Sequence, residues 1–232
     1  MQAVILVGGL ATRMRPLTET IPKAMLEVAG RPFIDWQLER VAAAGYDEVV
    51  LCIGRLGEQL RAHVGDGARF GLRVRYSDEG EDQRGTAGAL RLALDLLEPT
   101  FLLTYGDSYL PFDYAGPLTM LRAHDDCDGV MAVYANAGKW DASNVRTDGV
   151  WVQAYVKGTT DPAFDHIDYG AMALRREIIA EMHSGARGGL DEIQRILAER
   201  NRLRAYRAHE RFFEIGSPEG LKTLARHLGE HE

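Results

Sequence analysis

Three stretches of this chain hold residues whose types and spacing suit chemistry. The first is Gly8-Gly9-Leu10-Ala11-Thr12-Arg13-Met14-Arg15-Pro16-Leu17-Thr18, continuing to Pro22-Lys23. Glycines let a backbone approach a ligand and turn N–H groups toward anionic oxygens. Residues 10–25 carry Arg13, Arg15 and Lys23 against the single carboxylate of Glu19. In a chain of net charge −7, that local cationic excess describes a pocket for a polyanion. The spacing is neither a P-loop, which ends Gly-Lys-Ser/Thr, nor Gly-x-Gly-x-x-Gly. The second stretch, Glu81-Asp82-Gln83-Arg84-Gly85-Thr86-Ala87-Gly88-Ala89, sets small residues where a helix begins. The third is Gly106-Asp107, a carboxylate ending an apolar run, whose hard oxygens suit Mg²⁺ completed by waters and phosphate.

These residues need elements that bring them to one edge. Hydrophobic patterning predicts strands over 3–7, 48–53, 72–77 and 101–105, alternating with helices over 33–44, 58–64 and 86–97. Strand and helix alternating in this way predict a mostly parallel sheet covered on both faces, with ligands at its carboxyl edge. After residue 129 the rhythm turns β-rich. Strands are expected over 129–135, 149–157 and 169–174, helices over 190–199 and 218–228, and a β-like stretch over 203–215. Ser217 and Pro218 read as N-cap and first turn of the last helix. One domain over 1–232 is expected, in two halves, 1–128 and the β-richer 129–232.

Composition narrows the classes. At 232 residues with 46% hydrophobic and 26% charged side chains, the chain is globular, not disordered or fibrous. The acidic balance argues against nucleic-acid and acidic-membrane partners. Two cysteines, Cys52 and Cys127, exclude a disulfide framework or zinc cluster, and Cys52 in an apolar run reads as a small core hydrophobe. The opening Met-Gln-Ala-Val lacks a basic leader, and no run approaches a membrane span. A cytoplasmic location is expected; oligomeric state is open.

Taken as one string, the first stretch resembles the signature of the sugar-1-phosphate nucleotidyltransferases, Gly-Gly-x-Gly-Thr-Arg-Leu-x-Pro-Leu-Thr followed by Pro-Lys. The resemblance implies an α/β, Rossmann-like three-layer fold with a mixed, mostly parallel sheet and a β-richer sugar-binding half. It implies that Gly8, Gly9 and Thr12 border the nucleotide. Arg13 would hold the departing pyrophosphate, and Lys23 would bridge the α-phosphate and the sugar phosphate. Gly85 and Thr86 would lie against the base, with Gln83 within reach of its edge. Asp107 and, through Phe212-Phe213-Glu214-Ile215-Gly216-Ser217, Glu214 would hold Mg²⁺. Asn144, Lys157, Asp168 and Gly170 fall where the family meets its sugar.

Three departures from the family bear on the site. Ala11 replaces the third glycine, Glu214 an aspartate, and Val156 the glutamate of a Glu-Lys element. If position 11 needs a left-handed backbone, alanine costs roughly 1 kcal/mol there. The absent glutamate argues against common hexoses. His166 reads as solvated, not catalytic.

The partners implied are a nucleoside triphosphate and a sugar 1-phosphate, giving NDP-sugar and pyrophosphate. The length is similar to that of compact members that activate heptose or N-acetylmuramic acid. GTP with a heptose or mannose-like 1-phosphate is the first expectation. The alternatives are a uridylyltransferase on an amino sugar 1-phosphate, and a non-catalytic relative that binds sugar nucleotide. A glycosyltransferase fits less well, because Asp107-Ser108-Tyr109 lacks the second acid of Asp-x-Asp.

Overall fold

The computed structural model describes residues 1–9 and 11–229. Leu10, inside the glycine stretch, lies outside them. Seven strands form the central sheet: β1 (Gln2–Leu6), β2 (Glu48–Ile53), β3 (Arg73–Asp78), β4 (Thr100–Tyr105), β5 (Gly129–Tyr134), β6 (Ile167–Arg175) and β7 (Leu203–Ala208). Their order is β3-β2-β1-β4-β6-β5-β7. All neighbours run parallel except at β6, which is antiparallel to both β4 and β5. The expected mixed, mostly parallel sheet is present, and it runs through both halves of the chain.

Among the described residues, seven α-helices accompany it: α1 (Phe33–Ala43), α2 (Gly57–Val64), α3 (Gly85–Leu92), α4 (Gly116–Ala123), α5 (Arg176–Ala180), α6 (Asp191–Glu199) and α7 (Pro218–Gly229). Alternate residues of β1 sort into two cores, as the period of a strand requires. Ala3 and Ile5 pack with Ile34 and Leu38 of α1, Leu60 of α2 and Leu118 of α4. Val4 and Leu6 pack with Leu90 of α3, Ile179 of α5 and Leu197 of α6. Both faces are covered, which is why Glu48–Ile53 is buried along its whole length instead of alternating.

Some boundaries differ from expectation. The helix expected to reach Leu97 stops at Leu92, and a separate 3-10 turn follows over Leu94–Leu96. Expected strand 149–157 shortens to Val152–Tyr155, which pairs with Val145–Thr147 after a left-handed turn at Gly149, while Trp151 bridges to Arg204 of β7. The stretch 203–215 divides into β7 and the short strand Phe213–Glu214. Helices α4 and α5 carry too few periodic positions to announce themselves. Among the described residues, no helix is long and apolar enough to cross a membrane.

Candidate active site

The strands β1, β2 and β3 all end at one edge, and the glycine stretch leaves from the first of them. Gly8, Gly9, Lys23, Gly85, Thr86 and Asp107 line a single cleft there of about 200 Å³, together with Glu79 and Gln83. The sheet therefore gathers residues that lie up to a hundred positions apart, at the place where open α/β sheets bind ligands.

The loop beyond Gly9 is built from short turns. Its turn at Thr12–Met14 buries Met14, and the Thr18 hydroxyl donates to the Ala11 carbonyl at 2.9 Å. Arg55 donates to the carbonyls of Thr18 and Glu19, and Gln59 of α2 to that of Thr20. Ala11 has φ 48 and ψ 42, a left-handed backbone carried by a residue other than glycine. Thr12 is exposed and stands outside the cleft lining.

At the acidic end, Lys23 Nζ donates to Asp107 Oδ2 at 2.6 Å. Asp107 follows β4, and Glu214 is brought beside it by a two-stranded ribbon, Ser108–Tyr109 against Phe213–Glu214. The Ile215 N–H donates to the Asp107 carbonyl at 3.0 Å. Behind the ribbon, Ser217 caps α7 through the Gly220 N–H at 3.0 Å, as its sequence announces. Gly216 leaves the space between the charged heads. A methyl there would lie 3.4 Å from Lys23 Nζ and 3.9 Å from both Arg13 Nη2 and Glu214 Oε2. The Glu214 side chain opens to solvent, yet the protein around it still desolvates the carboxyl. That desolvation, with repulsion from Asp107 and Asp141, raises its pKa against the pull of Lys23 and Arg13.

Glu79 was not singled out by sequence. It follows β3, and its Oε1 sits beside the backbone of Gly8, where an added Cβ would be 2.8 Å away, and of Gly54, at 3.2 Å. Its Oε2 accepts the Arg84 N–H at 3.0 Å. Burial pushes its pKa up, against that backbone bond and the Arg84 charge. An acid at the carboxyl end of a strand was the available signal. Thr86 lines the cleft, but its hydroxyl already accepts the Leu190 N–H at 2.8 Å.

Asn144, Asp168 and Gly170 come together a short way along the edge. Asn144 Oδ1 accepts the Asp168 N–H at 2.8 Å; the Asp168 carboxylate accepts from the Gly170 N–H at 3.0 Å and from Gln194 at 2.7 Å. Burial raises the Asp168 pKa against those two bonds. Asp168 and Gly170 lie within β6, not at a strand end, where the register shifts and Gly170 adopts φ 93. Gly170 faces Ser108 and Tyr105, which ties this group to Asp107. Lys157 is exposed and outside the lining of the cleft. His166 departs from the solvated expectation: its side chain is 18% exposed and its Nδ1 lies 2.6 Å from Asp165 Oδ1. Cys52 is buried, with its thiol pushed up to about 12 by desolvation, which leaves it no thiolate at neutral pH.

Two carboxylates side by side, next to a lysine and an arginine, form a hard-oxygen donor set of the kind Mg²⁺ takes when phosphate oxygens and waters complete its shell. Among the described residues no group of three or more His, Cys, Asp or Glu could hold a metal by itself.

Known proteins resemble the chain in sequence and in fold. The chain is 43% identical over 116 residues to an N-acetylmuramate alpha-1-phosphate uridylyltransferase of Neisseria meningitidis, covering 49% of this chain and 50% of that one. It is 35% identical over 185 residues to a mannose-1-phosphate guanylyltransferase of Mycobacterium tuberculosis, covering 79% of this chain and 51% of the other. Its alignments therefore span about half the length of these relatives. In fold, it superposes on HddC from Yersinia pseudotuberculosis, complexed with GMP-PN, with a TM-score of 0.78 at 22% identity over 98% of this chain and 99% of that one. A UDP-glucose pyrophosphorylase complexed with UDP-glucose gives 0.82 at 19% identity over 100% and 99% of the two chains. The family described as nucleotidyl transferase matches residues 2–142, from the first strand through both the glycine stretch and Asp107, and the chain belongs to that family.

Proposed function

We propose that the chain transfers a nucleotidyl group from a nucleoside triphosphate to a sugar 1-phosphate, releasing pyrophosphate. The observation that carries this is the convergence of Arg13, Lys23, Asp107 and Glu214 around Gly216, with Lys23 and Asp107 lining the same cleft as Gly8, Gly9 and Gly85 while Arg13 and Glu214 stand outside its lining. A phosphate monoester loses its second proton near pH 6 (roughly), so the sugar phosphate is already a nucleophile at neutral pH. One of its oxygens bonds to the α-phosphorus; the bond from that phosphorus to the bridging oxygen breaks, and the electron pair leaves with pyrophosphate. No general base is required. The protein's task is alignment and neutralisation of charge.

Lys23, 14% exposed and paired with Asp107, is assigned to bridge the α-phosphate and the sugar phosphate. Arg13, exposed beside Gly216, is assigned as the cation for the departing pyrophosphate. Asp107 and Glu214 are the residues that would hold Mg²⁺, which supplies positive charge to the phosphoryl oxygens when bound. Asn144, Asp168 and Gly170 are assigned to the sugar, with Lys157 at its outer rim. Gly85 and Thr86 are assigned to the base.

Glu79 favours guanine over uracil or thymine. Guanine presents two adjacent donors, N1–H and the 2-amino group, to a carboxylate. Uracil and thymine present one N–H between two carbonyls, which a carboxylate repels. GTP with a heptose or mannose-like 1-phosphate is accordingly the first pair to test, and UTP with an amino sugar 1-phosphate the second. The experiment is product formation from five nucleoside triphosphates crossed with mannose, glucose, N-acetylglucosamine, N-acetylmuramic acid and heptose 1-phosphates, with Mg²⁺ or chelator. NDP-sugar from a single pair supports the proposal. Nucleotide binding without turnover by any pair would favour a sugar-nucleotide-binding relative.

A further inference from the structure

The base end of the cleft is held by a segment from the other half of the chain. Residues 183–190 join α5 to α6 and lie against the start of α3. The Gly188 N–H donates to the Arg84 carbonyl at 2.8 Å, and the Gly188 carbonyl accepts the Ala87 N–H at 3.0 Å. The Leu190 N–H adds its bond to the Thr86 hydroxyl. The fit is close: a Cβ on Gly85 would sit 2.9 Å from the Gly188 carbonyl carbon, and one on Gly88 would sit 2.7 Å from the Ala186 oxygen.

Arg187 closes this clamp with a two-pronged contact. Its Nη1 donates to the Gln83 carbonyl at 3.0 Å and its Nη2 to Asp82 Oδ1 at 2.6 Å, while Arg84 reaches the other oxygen of Asp82 at 3.1 Å. Only a guanidinium offers two such parallel donors from one rigid plane. The clamp leads to the base pocket in two steps. Gly188 fixes the Arg84 carbonyl, and the N–H of the same residue holds Glu79 Oε2. Neither Arg187 nor Asp82 lines the cleft.

We infer that Arg187 is a positioning residue for nucleobase recognition, fixing the Asp82–Gly85 loop so that Glu79 and Gln83 meet the base edge. This rests on the nucleotide site proposed above, but not on turnover. Arg187 is 58% exposed, so its removal leaves the core intact. Loosening the loop would weaken contacts to the base and leave those to the phosphates, which depend on Arg13 and Lys23.

The test is calorimetric titration of the full chain and of Arg187→Ala, Arg187→Lys and Asp82→Asn, with GTP, UTP and inorganic tripolyphosphate. For Arg187→Ala, the affinity for the preferred nucleotide should fall roughly 3- to 10-fold, the range one solvated charge-assisted contact supplies. The ratio between GTP and UTP should shrink, and tripolyphosphate affinity should be unchanged. Asp82→Asn should reproduce the effect, and Arg187→Lys should restore only part. Equal losses for nucleotides and tripolyphosphate, or no loss at all, would overturn the inference. So would a native chain that binds nucleotides no better than tripolyphosphate. A native chain that binds nucleotides selectively but never turns over refutes the proposed transfer alone, because the titration is read without turnover.

Discussion

Alanine at Gly85 and alanine at Gly9 test opposite properties of the same cleft. Gly85 has φ 74, and its Cα faces the Gly188 carbonyl too closely for a side chain. The left-handed backbone costs an L-residue roughly 1–2 kcal/mol. Displacing a packed backbone segment adds roughly 1–3 kcal/mol. Gly85→Ala should therefore lose about 2–5 kcal/mol of stability, a fall in Tm on the order of 10 °C for a chain of this size. Gly9 has nothing within 4 Å of an added Cβ and is not among the left-handed glycines. Gly9→Ala should fold at least as well as the native chain, gaining ~0.4–1 kcal/mol from a stiffer unfolded state. If the nucleotide rides over that backbone, however, the methyl occupies its space. A loss of ~1.4–2.8 kcal/mol in binding is a 10- to 100-fold rise in KM for the triphosphate. The assay is calorimetry for Tm beside pyrophosphate release against nucleotide concentration. An unchanged KM in Gly9→Ala would show that no ligand approaches the glycine stretch there. An unchanged Tm in Gly85→Ala would show that residues 183–190 do not pack as described.

Three further outcomes follow from named contacts. Ala11→Gly relieves a left-handed alanine. Against the entropy glycine adds to the unfolded chain, the net effect is a stabilisation of about 0–1 kcal/mol, and a loss above 1 kcal/mol in denaturant titration would contradict it. Asp107→Asn and Glu214→Gln should each lower turnover at least ~100-fold, as loss of transition-state charge stabilisation does, while circular dichroism and Tm stay near native; wild-type turnover in both would remove the carboxylate pair from the site. Arg202 bonds Asp128 at 2.7 Å through both Nε and Nη2 and lowers its pKa. Because the folded value is depressed, this stabilisation is complete above the ordinary aspartate value of about 3.9 and is lost as pH falls through the lowered one. Asp128→Asn should flatten that part of the acid-unfolding curve, and an unaltered acid limb would refute it.

Much of the site was legible because the family signature is local. Gly8 to Lys23 is one uninterrupted stretch, and Asp107 follows an apolar strand in plain view. Glu214 is pointed to by Gly216-Ser217 beside it and is set near Asp107 by the fold, and Ser217 caps α7 as its type requires. What sequence did not reveal depends on contacts between distant segments. The 183–190 segment carries no pattern of its own, and its partners at Asp82–Ala87 lie about a hundred residues away. Thr86 reads as a ligand group, yet its hydroxyl accepts the Leu190 N–H, a contact that only the tertiary structure creates. Helix α4 is short, with Leu118 and Leu121 its main periodic signal, although Pro117 in its first turn is a favoured placement. The bulge that turns Asp168 toward Gln194 comes from the left-handed backbone at Gly170, and a glycine inside a strand pattern signals such a bulge without saying where it points.

Charge around the Lys23–Asp107–Glu214 cluster is proposed to drive nucleotidyl transfer, and pyrophosphate release from Lys23→Met reads that dependence, at saturating triphosphate and sugar 1-phosphate with nucleotide affinity measured separately. Turnover should fall by roughly 10²- to 10³-fold, the worth of one preorganised charge at the reacting centre, while nucleotide affinity changes only a few-fold. Turnover within threefold of the native chain would contradict the claim and move the chemistry away from this cluster.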